Sequence, residues 1–207
     1  MLALPYPEFD PVALSIYSLE IKWYGLAYMA GLLLGWLYIR RLVSTPSLWP
    51  FNRAPFSADK VDDLLLFMTV GVVVGGRLGF VFLYEPHYYL AHPLEIPAVW
   101  KGGMAFHGAL IGCGVAVSLF AWRNQVSARS AMDVCAAAVP LGLIFGRLAN
   151  FINGELFGRP TDVPWGMVFP AAKFEYPHIE PAVRHPSQLY EAALEGVVLF
   201  LVLRVLT

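Results

Sequence analysis

The sequence carries little charge. Of its 207 residues, 14% are charged and 58% are hydrophobic, and the mean hydropathy is +0.60. Soluble domains carry about 25% charged residues, so this chain has too few charges to cover a soluble globule. The composition therefore predicts a membrane protein. A net charge of -1 gives no case for nucleic acid as a partner.

Several common catalytic and redox patterns are also missing. Cys113 and Cys135 both fall in apolar runs, which is typical of small packing residues, and no CxxC motif is present. The sequence has no serine-nucleophile motif, no nucleotide-type phosphate loop and no HExxH. His87, His92 and His178 lack the spacing of metal ligands. We expect no metal and no cofactor.

Five apolar runs predict an all-α, polytopic domain that occupies residues 1–207. The predicted spans are residues 21–42, 64–84, 104–122, 134–153 and 187–206, some with aromatic and cationic residues at their ends, as at membrane interfaces. The predicted extracytoplasmic loops are 85–103 and 154–186. The residues before the first span read as an arm outside the membrane, because their prolines disfavour a long helix. This N-terminus has no basic n-region, so it is not expected to be a cleavable signal peptide.

Lysines and arginines in the loops predict the orientation. One side of the predicted membrane holds seven of them and the other side five, and three of these five lie in the long fourth loop, which counts for less. The side with seven is therefore assigned to the cytoplasm. This places the N-terminus outside.

Two arginines and a histidine lie within the second, third and fourth predicted spans. An unpaired charge at membrane depth is costly, so each is a functional-site hypothesis. Arg77 and Arg147 fall late in the second and fourth spans, and His107 falls early in the third. The topology puts all three at a similar depth in the outer leaflet, which favours one cationic pocket. The alternative is that the arginines snorkel separately to the headgroups.

The surroundings of Arg147 suit an anionic ligand. Arg147, Asn150 and Asn153 fall within an arc of about 120° on a helix, so they can line one wall. The planar guanidinium of arginine matches a phosphate. Glu155 is expected to pair with an arginine. His107 suits a general base, or it is simply an interfacial histidine.

Other features near these residues stay open. Tyr24 fits either the aromatic belt or a ligand role, and the glycines of the second span fit helix packing. The tetrapeptide Gly76-Arg77-Leu78-Gly79 recurs as Gly146-Arg147-Leu148-Ala149, which reflects either duplication or chance.

The stretch from Gly146 to Gly158 reads G-R-L-A-N-F-I-N-G-E-L-F-G. It resembles the signature G-R-x-(G/A)-N-F-x-N-x-E-x-x-G of the prolipoprotein diacylglyceryl transferases. Further similar landmarks are Trp23-Tyr24-Gly25, Gly75 to Gly79, Gly102 to Gly112 and Arg184 to Glu191. The resemblance implies a multi-pass enzyme of the bacterial inner membrane, with its site facing the periplasm. Such an enzyme moves the diacylglyceryl group of phosphatidylglycerol onto the lipobox cysteine of a prolipoprotein.

The resemblance also implies roles for individual residues. His107 and Arg147 are expected to be needed for catalysis. The expected substrate-binding residues are Tyr24, Arg77, Arg147, Asn150, Asn153, Glu155 and Gly158. Family members usually have seven spans, so a chain with five is expected to be C-terminally truncated. The competing readings are a carrier of an anionic lipid or small anion, and an inactive fragment.

Overall fold

The computed structural model describes residues 4–7, 9–17, 19–169 and 182–206, and it is mostly helical. The helices are α1 (Trp23–Val43), α2 (Lys60–Leu83), α3 (Pro86–Ala91), α4 (Phe106–Asn124), α5 (Ala128–Asn153), α6 (Ser187–Glu191) and α7 (Leu199–Leu206). Four of them, α1, α2, α4 and α5, are long and apolar enough to cross a membrane. The predicted all-α class of polytopic membrane protein is confirmed.

Each predicted span coincides with helical structure, although the membrane limits themselves stay predictions. The fourth helix begins at Ala128, ahead of the predicted residue 134. The fifth run is helical from Ser187 to Leu206, but it changes to a π-helix over Ala192–Val198, between α6 and α7. Loop 85–103 contains α3 and two short 3₁₀ turns. Residues 170–181 of the second predicted loop lie outside the described residues.

Short strands add to this helical frame at the N-terminal arm. Strand β1 (Leu4–Pro5) pairs in parallel with β4 (Met167–Val168), and β2 (Val12–Ile16) pairs antiparallel with β3 (Leu19–Lys22). The prolines of this arm disfavour a helix, as the sequence predicted. The arm is therefore tied to the loop that follows α5.

The chain forms two compact units, and α1 and α5 each contribute to both. The first unit contains Met1–Leu37 and Ala137–Thr207. Within it, α1 and α5 approach closely, since a Cβ built on Gly31 would lie 3.2 Å from the Cα of Gly142. The π-helical segment packs on α5 in the same way, because a Cβ on Gly196 would lie 2.5 Å from a side-chain carbon of Ile144.

The second unit, Tyr38–Ala136, is built on a glycine seam between α2 and α4. Gly71, Gly75 and Gly79 of α2 face Gly108 and Gly112 of α4. A Cβ on Gly79 would lie 2.7 Å from the Cα of Gly108, so no side chain fits between the two backbones at this point. Glycine allows such an approach between helices in a membrane. The packing role predicted for these glycines is confirmed.

Candidate active site

The polar cluster of the first unit is created by the way α5 ends. Gly154 adopts a φ of +68°, a left-handed conformation that glycine adopts without steric cost. The N–H of Glu155 then bonds the carbonyl of Asn150 at 3.0 Å, and the N–H of Gly154 bonds that of Phe151 at 3.0 Å. This pair of bonds is a Schellman motif. It turns the chain back, so that Glu155 returns to the last turn of the helix.

The Glu155 carboxylate joins the two asparagines of the signature. Its Oε1 accepts a hydrogen bond from Nδ2 of Asn150 at 2.8 Å and another from Nδ2 of Asn153 at 3.3 Å. Asn150 is buried, with 8% of its surface exposed. The expected pairing of Glu155 with an arginine is therefore not what the structure has. Its partners are amides, because the Schellman turn brings the carboxylate over the asparagine side chains.

Arg147 pairs instead with Glu191, at the end of α6. The distance from its Nη2 to Oε2 of Glu191 is 2.7 Å, and the two side chains are 28% and 29% exposed. Sequence reasoning gave Glu191 no role at the site and missed this contact. The available signal was a carboxylate at the start of an apolar run, since such a charge needs a partner.

Tyr24 of α1 reaches the same cluster. Its ring packs against that of Tyr28 at 4.8 Å between centroids, and the two hydroxyls lie 3.0 Å apart. The Tyr24 side chain also interacts with the amide of Asn150 and with the charge of Glu155. The structure thus brings Tyr24 together with two of the predicted site residues, and its role toward substrate stays a prediction.

The loop that carries Glu155 and Gly158 is held by α6 and by the segment before it. Nε2 of Gln188, a fully buried side chain, donates to the Glu155 carbonyl at 2.6 Å. Nη1 of Arg184 donates to the Gly158 carbonyl at 3.2 Å, and the Gly158 N–H donates to the main-chain carbonyl of His185 at 2.9 Å. A Cβ on Gly158 would collide with the hydroxyl of Ser187. The geometry therefore favours a structural reason for glycine at 158 over the predicted contact with substrate.

The N-terminal arm supports the same turn from another direction. The Tyr6 hydroxyl donates to the carbonyls of Phe151 at 2.5 Å and Ile152 at 3.0 Å. These are carbonyls of the last helical turn, which lack partners within the helix. Burial raises the pKa of Tyr6 above its ordinary value, so this hydroxyl stays a hydrogen-bond donor at neutral pH.

The remaining predicted site residues, His107 and Arg77, belong to the second unit. His107 is exposed near the start of α4, beside the ring of Phe106. Arg77 is 3% exposed, and its guanidinium donates to main-chain carbonyls. This geometry gives no support to the predicted contact of Arg77 with substrate. A common pocket for Arg77, His107 and Arg147 stays a prediction.

Among the residues that the structure describes, no three His, Cys, Asp or Glu side chains are grouped so as to hold a metal ion. At the polar cluster, the chemistry available is that of the partly exposed Arg147 guanidinium with its Glu191 partner. The end of the same helix adds two asparagine amides and the Glu155 carboxylate. That combination suits an anionic group with hydroxyls, since guanidinium binds phosphate and amides bind hydroxyls.

Comparison with known proteins places this arrangement in a family. A sequence model described as prolipoprotein diacylglyceryl transferase matches residues 11–207. The chain belongs to this family. The predicted family is confirmed, and with it the class of transferase.

Three relatives carry the name phosphatidylglycerol–prolipoprotein diacylglyceryl transferase. The protein from Rhizobium leguminosarum bv. trifolii is 52% identical over 203 residues, covering 98% of this chain and 70% of the relative. That from Phenylobacterium zucineum is 52% identical over 206 residues, covering 97% and 71%. That from Agrobacterium fabrum is 50% identical over 202 residues, covering 98% and 70%. The chain thus spans about 70% of the length of these family members.

Proposed function

We propose that this chain transfers the diacylglyceryl group of phosphatidylglycerol to the thiol of the lipobox cysteine of prolipoproteins. The observation that carries the proposal is identity of about one half to the named transferases over nearly all of the chain. The site geometry supports it, because a phosphate needs a partly exposed cation. Arg147 meets that need, with 28% of its side chain exposed.

Arg147 would hold the phosphate of the lipid. Glu191 contacts one nitrogen of the guanidinium, and the fork geometry of arginine leaves further N–H groups to donate to phosphate oxygens. As the bond from glycerol carbon to phosphate oxygen breaks, negative charge grows on the leaving glycerol phosphate. A fixed cation in a site that excludes water stabilises that charge strongly.

His107 would act as the general base. Its imidazole is exposed, and a positioned histidine can accept the proton of a cysteine thiol. The thiolate then attacks the terminal glycerol carbon of the diacylglyceryl group. A carbon–sulfur bond forms, the carbon–oxygen bond breaks, and glycerol phosphate leaves. The proton on His107 is then released to solvent, and the histidine is again neutral for the next transfer.

Asn150, Asn153 and Glu155 would form the polar wall beside the lipid headgroup, with Tyr24 next to Asn150. Their hydrogen bonds to each other fix their positions before substrate arrives, which lowers the entropic cost of the reactive geometry. We further propose that the enzyme lies in the bacterial inner membrane with this site facing the periplasm. The excess of basic residues on the opposite side supports that orientation.

The test is direct lipid transfer. Membranes containing the chain are mixed with phosphatidylglycerol and a lipobox peptide, and modified peptide is followed by gel shift and by mass. Membranes with the Rhizobium relative serve as the positive control, and Arg147→Ala and Arg123→Ala are compared. Modified peptide from the chain and from Arg123→Ala, but not from Arg147→Ala, supports the proposal. Absence of product from the chain, with product from the relative, overturns it.

A further inference from the structure

Arg77 is held in what we call the carbonyl cage, made by the main-chain carbonyls of Glu95, Ile96, Gly102 and Gly103. Its Nε donates to Ile96 at 2.7 Å and its Nη2 to Glu95 at 2.8 Å. Its Nη1 donates to Gly102 at 2.6 Å and to Gly103 at 3.3 Å. All three nitrogens of the guanidinium are engaged, and the residue is 3% exposed. A phosphate would have to displace these carbonyls to bind.

The loop around Arg77 is shaped to form this cage. Gly102 and Gly103 have φ angles of +83° and +79°, which glycine adopts without strain. The ring of Tyr89 lies 5.0 Å from the guanidinium carbon, within the range of a cation–π contact. On the outside, Lys101 and Glu95 form an ion pair of 3.0 Å. Two glycines, an aromatic ring and an ion pair of this loop therefore each favour the conformation that surrounds Arg77.

The cage lies directly before the predicted general base. The N–H of Ala105 donates to the carbonyl of Gly76, the residue before Arg77, at 2.9 Å. Ala105 is buried, and a Cβ on the buried Gly108 would lie 2.8 Å from the Cα of Gly79. The backbone on both sides of His107 is thus fixed to α2, while the imidazole is exposed.

Removing the guanidinium would leave the partly buried carbonyls of the cage without these donors, which is costly, and the loop would have to rearrange. We propose that Arg77 is a positioning residue for His107, acting through the carbonyl cage, and is not a ligand of the lipid phosphate. The proposal rests on the proposed function, in which His107 takes the thiol proton.

The experiment compares two ways of breaking the cage. Arg77→Gln removes the charge and replaces the three guanidinium nitrogens with one amide nitrogen. Gly103→Ala keeps Arg77 but disturbs the loop, because of the φ of +79° and because the new Cβ would lie 2.5 Å from the ring of Phe80. Transfer rates are measured over a range of phosphatidylglycerol fractions in vesicles. Hydrogen exchange is measured over residues 93–108, with residues 138–153 as a control region.

We expect both substitutions to lower kcat by about tenfold or more, the scale of a misplaced general base, while KM for phosphatidylglycerol changes less than about twofold. Exchange over 93–108 should become faster in both. Arg123→Gln, which removes an exposed arginine of α4 in the same unit, should change neither measurement. Arg77→Lys keeps the charge with fewer donors, and we expect it to lower kcat less than Arg77→Gln does.

A raised KM with unchanged kcat and unchanged exchange in Arg77→Gln, together with normal Gly103→Ala, would overturn the proposal and make Arg77 a lipid ligand. If Arg77→Gln does not accumulate as folded protein, Arg77→Lys and Gly103→Ala decide by the same criteria. If the unsubstituted chain transfers no lipid, the proposed function fails. Hydrogen exchange still tests the cage in that case, because unchanged exchange over residues 93–108 in Arg77→Gln would show that Arg77 does not hold this loop.

Discussion

Two segments of nearly identical sequence hold their arginines in different ways. In Gly76 to Gly79, Arg77 is 3% exposed and bonded to neutral main-chain carbonyls. In Gly146 to Ala149, Arg147 is 28% exposed and paired with one carboxylate. All three guanidinium nitrogens of the first arginine are bonded to a loop, whereas the second is partly exposed and is the one that we propose as the phosphate ligand. The tetrapeptide therefore does not determine the environment of its arginine. That environment is determined by the distant segments that pack against it.

The largest effect that this comparison predicts is that of Arg147→Ala. Loss of the cation facing the leaving phosphate should lower transfer by about 100- to 1,000-fold, the scale for removing one stabilising donor. The unfolding temperature in detergent should change little, because Arg147 is partly exposed. Transfer rate and thermal unfolding are measured on the same preparation. An Arg147→Ala variant with a normal transfer rate would contradict the proposal that Arg147, unlike Arg77, binds the lipid phosphate.

The next effect concerns the partner of Arg147. Glu191→Gln keeps the shape of the side chain but removes the charge that orients the guanidinium. We expect transfer to fall by about tenfold, equivalent to roughly 1.4 kcal/mol in the barrier. Glu195→Gln, an exposed glutamate of the neighbouring π-helical segment, is the matched control. Equal rates in all three proteins would mean that the ion pair has no part in positioning Arg147.

Sequence reasoning reached the class of fold and the main helices. Helical periodicity also places Arg147, Asn150 and Asn153 on one face, and their common role as a binding wall stays a prediction. Sequence reasoning did not reach the partners of Arg147 and Glu155. Glu191 follows Arg147 by many residues, and no local pattern links the two. The Schellman turn at Gly154, which carries Glu155 to the asparagines, depends on one positive φ. The burial of Arg77 depends on where the carbonyls of a distant loop point.

A smaller effect tests the turn beside Arg147 alone. Gly154→Ala forces a side chain into the left-handed region and should cost about 1 to 2 kcal/mol of stability, with a loss of transfer because Glu155 moves. Gly142→Ala lies within α5, the helix that this turn ends, and a Cβ there meets nothing within 4 Å. It should be neutral or stabilising by up to about 1 kcal/mol. The measurement is thermal unfolding, and similar midpoints for the two variants would contradict the role of the turn.

The smallest effect lies on the Arg77 side and depends on pH. The Lys101 ammonium, and then the Tyr88 hydroxyl, hold the pKa of Glu95 below its ordinary value of 4.5. A lowered folded pKa gives stability that is present above the ordinary value and is lost as pH falls through the folded one. Because the Glu95 side chain is partly exposed and its ion pair with Lys101 is screened by solvent, we expect a small change.

Unfolding temperatures of the unsubstituted chain and of Glu95→Gln, measured from neutral pH to about pH 3, should converge as pH falls. A gap that stays constant over this range would mean that the Glu95 carboxylate does not stabilise the loop of the cage.

The glycine seam between α2 and α4 has a further consequence for helix register. Its glycines repeat every four residues on both helices, so a slide of one helical turn, about 5.4 Å, would again place glycine opposite glycine. Packing at the seam alone therefore distinguishes poorly between neighbouring alignments. The bond from Ala105 to Gly76 and the four carbonyls on Arg77 occur in one alignment only. These hydrogen bonds therefore select one alignment of α2 and α4 among several that the glycines alone would permit.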